Sequence, residues 1–564
     1  MNNKKLVMID NIPVEIEGEK NVLELIRKAG VKLPTFCYHS ELSIYGACRM
    51  CVFEDDRGNI DAACSAEPWA GMVIKTNTQR LRKHRKMIME LLLTNHFRDC
   101  NFCESHGACK LQDFATFFNI DIKFPNKNQE PNLDGSSPCI EKDQSKCILC
   151  GDCVRMCNEI QSVGAIDFAH RGSKMTISTA FNEPLSESNC VGCGQCAVVC
   201  PTGALVPRND TARVWQELGD PNSKVIVQIA PAVRVAIGER LGIPEGINSM
   251  GKMVAALRRM GVDEVHDTST GADLTVLEEA KELVERVTSG KNLPLFTSCC
   301  PAWVRFCEDS YPELLPNVST CRSPMQMLAS VLKEHHANSE KRIVQVAIMP
   351  CTAKKYEALR DEFKTNGVPN VNYVITTDEL VQMIREAGIV FSEIESDSVD
   401  ATFGVRSGAG VIFGVTGGVT EAVLRYLAED KSTANLKLIA MEGIRGMQGV
   451  KEATVMVGER EVRIAVVSGL GNARKLIEKV KAGEKYDFIE VMACSGGCVN
   501  GAGQPYPSTA EIRATRSKGL YSADGASSIR RSEESPLVAQ MYDGVLKGKE
   551  HDLLHTSHTG EKHD

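Results

Sequence analysis

A chain of 564 residues exceeds what one hydrophobic core usually serves, so several domains are expected. Its 43% apolar and 24% charged residues suit globular domains, and a net charge of -8 speaks against nucleic acid, which calls for a basic surface. The opening "MNNKKLVMIDNIPVEIEGE" lacks the apolar core of a secretory leader, and no apolar run reaches the roughly 18 residues of a membrane span. A cytoplasmic protein without membrane or nucleic-acid partners is expected.

The 23 cysteines then need a cause. Disulfides are rare in the cytosol, and short-spaced cysteine groups read as metal ligands. In the first group, Cys37, Cys48, Cys51 and Cys64, a pair with two residues between is flanked by single cysteines about a dozen residues to either side. Soft thiolates hold iron-sulfur iron well, whereas a zinc site, the competing reading, favours two short-spaced pairs. The preceding "KKLVMIDNIPVEIEGEKNVLELIRKAG" predicts a hairpin and then an amphipathic helix. Residues 1–80 therefore resemble a β-grasp ferredoxin with one [2Fe-2S] cluster.

The second group is His96, Cys100, Cys103 and Cys109, in "NHFRDCNFCESHGAC". Three thiolates are one short of a cubane, and imidazole can replace thiolate on iron; His96 is the expected fourth ligand and His106 a bystander. Residues 81–126 are expected to form a small helical cluster domain. The basic run from Arg80 to Lys86 predicts the solvated start of its helix, with docking of an acidic ferredoxin there as the minor reading. "FPNKNQEPNLDGSSP" then reads as a linker, with Cys139 a spare thiol at its end.

Cys147, Cys150, Cys153 and Cys157, and again Cys190, Cys193, Cys196 and Cys200, show gaps of two, two and three. In two-cluster ferredoxins the fourth cysteine of each run ligates the other cluster. Cys200 is thus expected with Cys147, Cys150 and Cys153, and Cys157 with Cys190, Cys193 and Cys196. This repeat defines a two-cluster ferredoxin domain over residues 138–209, and the four groups read as an electron wire.

Beyond Pro207, apolar β-branched runs such as "KVIVQIAPAVRVAIG" and "RIVQVAIMPC" alternate with helical segments. That pattern predicts an α/β fold with parallel strands, whose sites lie at the carboxyl ends of the strands. Three loops there carry cysteine: "TSCCPAW", "IMPCTAKKYE" and "EVMACSGGCVNGAGQP". Cys300, Cys351, Cys494 and Cys498 supply four thiolates for one more cubane, which leaves Cys299 over. "SGLGNAR" (468–474) resembles a dinucleotide loop but lacks its third glycine, and a plain strand-helix turn is favoured.

These three loops resemble the signature motifs of [FeFe]-hydrogenases, and the upstream groups match the accessory clusters of that family's larger members. The resemblance covers nearly the whole chain and implies a two-lobed α/β catalytic domain over residues 210–505. It implies an H-cluster, a [4Fe-4S] cubane joined through Cys498 to a two-iron centre with CO, CN and an azadithiolate. The glycines around Cys498 would keep side chains clear of that cofactor. Lys354, Ala230 and Pro231 are implied to meet its cyanides, and Pro324, Met349, Pro350 and Met492 to enclose its ligands. The implied proton route runs from Cys299 through Glu279, Ser319 and Glu282 to Arg286. On residue chemistry alone, the glutamates and Arg286 also read as a solvated helix face.

Ala302, Met325 and Ala502 depart from the family pattern, and Cys307 and Cys321 read as buried structural thiols. The segment 506–564 resembles a wrapping element that periplasmic relatives supply as a small subunit, with His551, His555 and His558 capping or solvated. The expected activity is reversible hydrogen oxidation, with electrons passed to ferredoxin or to flavin- and NAD-binding and small iron-sulfur partner subunits. Maturation proteins would load the two-iron centre. Two other readings stand beside it. One is a non-catalytic electron-transfer subunit resembling the large iron-sulfur subunit of complex I; the other is a hydrogenase-like cytosolic iron-sulfur assembly factor.

Overall fold

The computed structural model describes residues 5–127, 130–365, 367–400, 402, 406–430, 444–457 and 460–558. Near the amino terminus, strands Leu6–Ile9 and Ile12–Glu15 form the expected hairpin and the helix Val22–Lys28 follows. Asn21 caps that helix, its side-chain oxygen accepting from Glu24 N, and Val22, Leu23, Leu25 and Ile26 bury its apolar face. The hairpin joins Val73–Lys75, Val52–Asp55 and Ile60–Ala62 in a five-stranded mixed sheet.

The helix Gln79–Asn95 starts with the basic run, but not all of that run is solvated. Arg85 is buried and donates to the carbonyls of Met50, Val52 and Thr76 at 3.1, 2.6 and 2.9 Å. Its guanidinium satisfies irregular backbone beside Cys51, which helical periodicity could not foretell. The linker reading also needs correction at its carboxyl end. Leu133–Asp134 pairs with Ile140–Asp143, which pairs with Leu205–Pro207. Cys139 is not a spare thiol on a loop: it is buried without measurable exposure, and burial pushes its thiol up to about 12.

Two four-stranded sheets follow. In the first, Glu264–Asp267, Ser223–Ile229, Arg342–Met349 and Tyr373–Thr376 lie side by side, all parallel. In the second, Leu295–Phe296, Phe488–Met492 and Arg460–Ser468 are parallel, and Val450–Val457 is an antiparallel edge. The strands Ser223–Ile229 and Phe488–Met492 are almost wholly buried, so apolar residues stand on both of their faces instead of alternating, and the polar Gln228 and Glu490 are buried with them. The helix Ser269–Ser289 is buried continuously from Ser269 to Ala280. Helices Ala510–Gly525, Pro536–Asp543 and Glu550–Leu554 close the chain, packed on the body through Leu520, Leu537, Met541 and Leu554. Among the described residues no helix is long and apolar enough to cross a membrane.

Candidate active site

The strands of both sheets end at one cavity. Ala230 follows Ile229, Cys351 follows Met349 and Pro350, and Cys299 and Cys300 follow Phe296 after two residues. Cys494 and Cys498 lie just beyond Met492. The cavity is lined by Cys299, Cys300, Cys351, Cys494 and Cys498 together with Ala230, Pro231, Pro324, Met349, Pro350, Lys354 and Met492. Met325, one of the departures from the family pattern, lines it too. So do Thr268, Ala272 and Phe413, which sequence reasoning did not single out; "GVIFGV" looks like any apolar core stretch.

The donor set fits an iron-sulfur group. All four ligand candidates are free thiols, and burial, followed by the neighbouring thiols, holds Cys494 well above its ordinary value. Clustered buried thiols of this kind are relieved by binding cationic iron as thiolates.

Lys354 donates to Glu357 Oε2 at 2.7 Å and to the Cys299 carbonyl at 3.2 Å. Burial works against its ammonium, but the Glu357 carboxylate prevails and raises it above the ordinary lysine value. A charged donor thus stands in a largely apolar chamber, suited to an anionic ligand.

Gly497 and Gly501 line the cavity beside Cys498. A Cβ at Gly501 would also overlap the Pro350 carbonyl oxygen, and one at Gly497 would press on Thr416 N, where φ is already +94°. Room beside the cysteines and close backbone approach both call for glycine there.

On the other side of Cys299 lies the helix Ser269–Ser289. Glu279 has no measurable exposure, and among the described residues neither of its carboxylate oxygens has a partner at full hydrogen-bond geometry, although the Ser319 hydroxyl and the Ser298 backbone lie beside it. Burial first, then the charges of Glu282 and Glu490, pushes it up to about 8. This is no solvated face. Ser319 Oγ donates to Glu282 Oε2 at 2.7 Å, and Arg286 Nη2 donates to Glu282 Oε1 at 2.5 Å. Cys299 is held well above its ordinary value by burial and then by Glu279, so the thiol keeps its proton rather than sitting poised near neutrality.

The upstream groups also assemble. Cys147, Cys150, Cys153 and Cys200 line one small cavity; Cys157, Cys190, Cys193 and Cys196 line another. Gly151 and Gly194, each between the second and third cysteines of its run, adopt φ of +77° and +67° and start the short helices that carry the third. In the first group, Cys48 N donates to Cys37 Sγ at 3.3 Å, and the thiols lie in two hydrogen-bonded pairs, Cys37 with Cys48 and Cys51 with Cys64. Two pairs match two irons. His96 Nδ1 meets the Lys146 carbonyl at 2.9 Å, which leaves Nε2 for a metal, the usual orientation of a ligating imidazole.

The layout is a fork rather than a line. Cys37, Cys109 and Cys150 share one packed cluster, so the first and second groups both adjoin the third. At the other end, Gln195 Nε2 donates to Cys494 Sγ at 3.4 Å and to the Asn500 carbonyl at 3.0 Å. Thr352 Oγ1 donates to the Gly192 carbonyl at 2.8 Å. The fourth group therefore abuts the catalytic loops. A polar Gln195 between two ligand cysteines was the signal that could have revealed this contact. "SGLGNAR" is committed to protein as well: Arg474 Nη2 donates to the Ser162 carbonyl at 2.9 Å, and a Cβ at Gly471 would press on the Ile160 carbonyl.

Comparison with known proteins accords with this geometry. The family "Iron only hydrogenase large subunit, C-terminal domain" matches residues 223–502. The NADP-reducing hydrogenase subunit HndD of Solidesulfovibrio fructosivorans is 40% identical over 98% of this chain and 98% of its own length. The chain belongs to the iron-only hydrogenases. Iron hydrogenase 1 of Clostridium pasteurianum is 34% identical, with 98% and 99% covered. The solved [FeFe]-hydrogenase HydA1 of Chlamydomonas reinhardtii superposes with a TM-score of 0.54 at 38% identity, covering 63% of this chain and all of that one.

Around this hydrogenase's catalytic region, family matches identify a 2Fe-2S cluster-binding domain at residues 6–79 and an NADH-ubiquinone oxidoreductase-G iron-sulfur binding region at 85–123. A 4Fe-4S dicluster domain matches 146–204 and an iron hydrogenase small subunit 510–561. The hydrogenase interconverts hydrogen and protons with iron-sulfur cofactors.

Proposed function

We propose that this hydrogenase holds a six-iron H-cluster on Cys300, Cys351, Cys494 and Cys498, with Cys498 bridging to the two-iron unit. The observation that carries this reading is the meeting of those four thiols with Lys354 in one buried, mostly apolar cavity. When bound, the cluster supplies the redox chemistry of hydrogen. Lys354, Ala230 and Pro231 anchor its cyanides, and Pro324, Met349, Pro350 and Met492 exclude water from its ligands.

The protein's own part is to bring electrons and protons to that chamber. Cys37, Cys48, Cys51 and Cys64 would hold one [2Fe-2S] cluster and three further groups would hold three [4Fe-4S] clusters, which when bound would supply electron transfer to the chamber. The first of these rests on His96, Cys100, Cys103 and Cys109. The second rests on Cys147, Cys150, Cys153 and Cys200, and the third on Cys157, Cys190, Cys193 and Cys196. Protons pass from Cys299 to Glu279, then to Ser319, Glu282 and Arg286. Because both Cys299 and Glu279 favour their protonated forms, each gives up a proton only as it receives another, which keeps the buried segment neutral.

The electron partner is ferredoxin, a nicotinamide-nucleotide-binding subunit, or both; full-length similarity to an NADP-reducing hydrogenase subunit supports the second. The domain limits follow the clusters: 1–80, 81–126, 138–209, 210–505 and 506–564. Infrared spectroscopy of anaerobically matured protein is the test. Bands of iron-bound carbon monoxide and cyanide are expected, and their absence after maturation overturns the assignment.

A further inference from the structure

The segment from Ser319 to Arg322 sits between the short helix Pro312–Asn317 and the helix Pro324–His335 and belongs to neither. Its backbone groups therefore need partners from elsewhere. Thr320 N donates to both oxygens of Glu282, at 3.2 and 3.1 Å, and Cys321 N donates to Ser319 Oγ at 3.2 Å. Along the other edge lies the end of the chain. Arg322 N donates to the Leu554 carbonyl at 2.8 Å, Thr556 N donates to the Thr320 carbonyl at 2.7 Å, and Cys321 and His555 form an antiparallel bridge.

Two imidazoles reinforce this strap. His555 Nδ1 meets Thr320 Oγ1 at 2.9 Å and its Nε2 meets Glu278 Oε2 at 3.2 Å. The Glu278 carboxylate is itself held by Lys281 and Tyr542. His558 Nε2 meets the Ser319 carbonyl at 3.1 Å. These histidines are not solvated caps: they grip the two residues whose hydroxyl and amide hold Glu282.

We propose that residues 554–558 are a working part of the proton route, with His555 and His558 as positioning residues that set Ser319 and Thr320 against Glu282. The inference rests on the route proposed above. Glu282 is carried by a long, regular helix, so the adjustable side of the Ser319–Glu282 contact is the irregular segment, which Phe296 and Ser298 hold along one edge, through Ser319 N and the Cys321 carbonyl, and the strap pins along the other. A misplacement of about 1 Å in such a relay costs on the order of 100-fold in rate.

The test uses full-length, matured enzyme carrying His555→Ala, His555→Gln or Ser319→Ala. His555→Ala is expected to lower turnover about 100-fold and enlarge the H2O/D2O isotope effect, with iron content and KM for the electron carrier unchanged. Amide exchange at Thr320 and Arg322 accelerates in the same variant. His555→Gln, whose amide can still span a hydroxyl and a carboxylate, restores most of the rate. Faster amide exchange with wild-type turnover and isotope effect would overturn the proposal, leaving the strap merely structural. If Ser319→Ala keeps full turnover, the route itself is wrong; if Ser319→Ala is inactive while His555→Ala is not, only the strap's role falls. Should His555→Ala fail to load its clusters, Thr556→Pro decides by the same criteria, since it removes the amide donated to Thr320 while keeping both imidazoles in the chain.

Discussion

Ser319 Oγ donates to Glu282 Oε2 at 2.7 Å while Arg286 takes the other oxygen of the same carboxylate at 2.5 Å. A hydroxyl that can both accept and give a proton therefore stands between a buried acid and a carboxylate near the surface. Ser319→Ala removes the only atom of that side chain able to do this. Turnover in both directions should fall by about 100- to 10,000-fold, with the visible absorbance of the clusters unchanged. Hydrogen evolution and uptake assays on matured protein check it.

Glu279 offers a pH signature. Burial lifts its pKa to about 8 from the 4.5 of an exposed carboxyl, so the folded protein keeps a proton that the unfolded chain releases. Its contribution to stability is fully present below about 4.5 and is lost as pH rises through 8, by roughly 1.4 kcal/mol for each pH step between those two values. Glu279→Gln should abolish that loss: its melting temperature should fall less than wild type's between pH 5 and pH 9, measured anaerobically. Equal falls in both proteins would show that Glu279 ionises normally.

Gly501 marks where the loop of Cys498 rests on the loop of Cys351. Gly501→Ala puts a methyl into the Pro350 carbonyl oxygen, and overpacking of this kind costs about 1–3 kcal/mol. The variant should bind less iron in its catalytic region while the amino-terminal clusters load normally. Iron analysis beside electron paramagnetic resonance distinguishes the two sets.

His96 should tune the cluster it serves. Replacing imidazole by thiolate lowers the potential of iron-sulfur centres, so His96→Cys should move one accessory signal to lower potential and leave the others in place. A redox titration followed by paramagnetic resonance reads this directly. An unchanged set of signals would remove His96 from the ligands.

Arg85 holds the amino-terminal sheet to its cysteine loop. It closes three backbone carbonyls next to the first cysteine group, and a buried acceptor left unpaired costs about 1–3 kcal/mol. Arg85→Ala should melt that sheet at lower temperature and bleach the two-iron absorbance first, as a thermal scan followed by visible absorbance would read.

The grouping of the cysteines was legible because cluster chemistry imposes thiolates at fixed spacings, and a run such as Cys147, Cys150 and Cys153 has no competing structural use. The parallel sheets were legible because their buried strands carry apolar residues on both faces instead of alternating. What stayed hidden depends on contacts between distant residues. Arg85 looked like one more charge on a helix start, yet three carbonyls from other segments claim it. Cys139 looked idle because its surroundings come from the fourth group's loop, far along the chain. The glycines near Cys498 also answer to Pro350 and Thr416, which no local pattern connects to them. His555 and His558 carried no motif at all; only the bridge to Cys321 gives them a place.

Covalent continuity between the strap and the body it clasps has a kinetic side. A detached peptide would have to find Thr320 by diffusion, and dilution would strip it away. As the end of the same chain it returns at an effective concentration in the millimolar range, so its opening and reclosing are independent of how much enzyme is present. Each copy carries its own clasp.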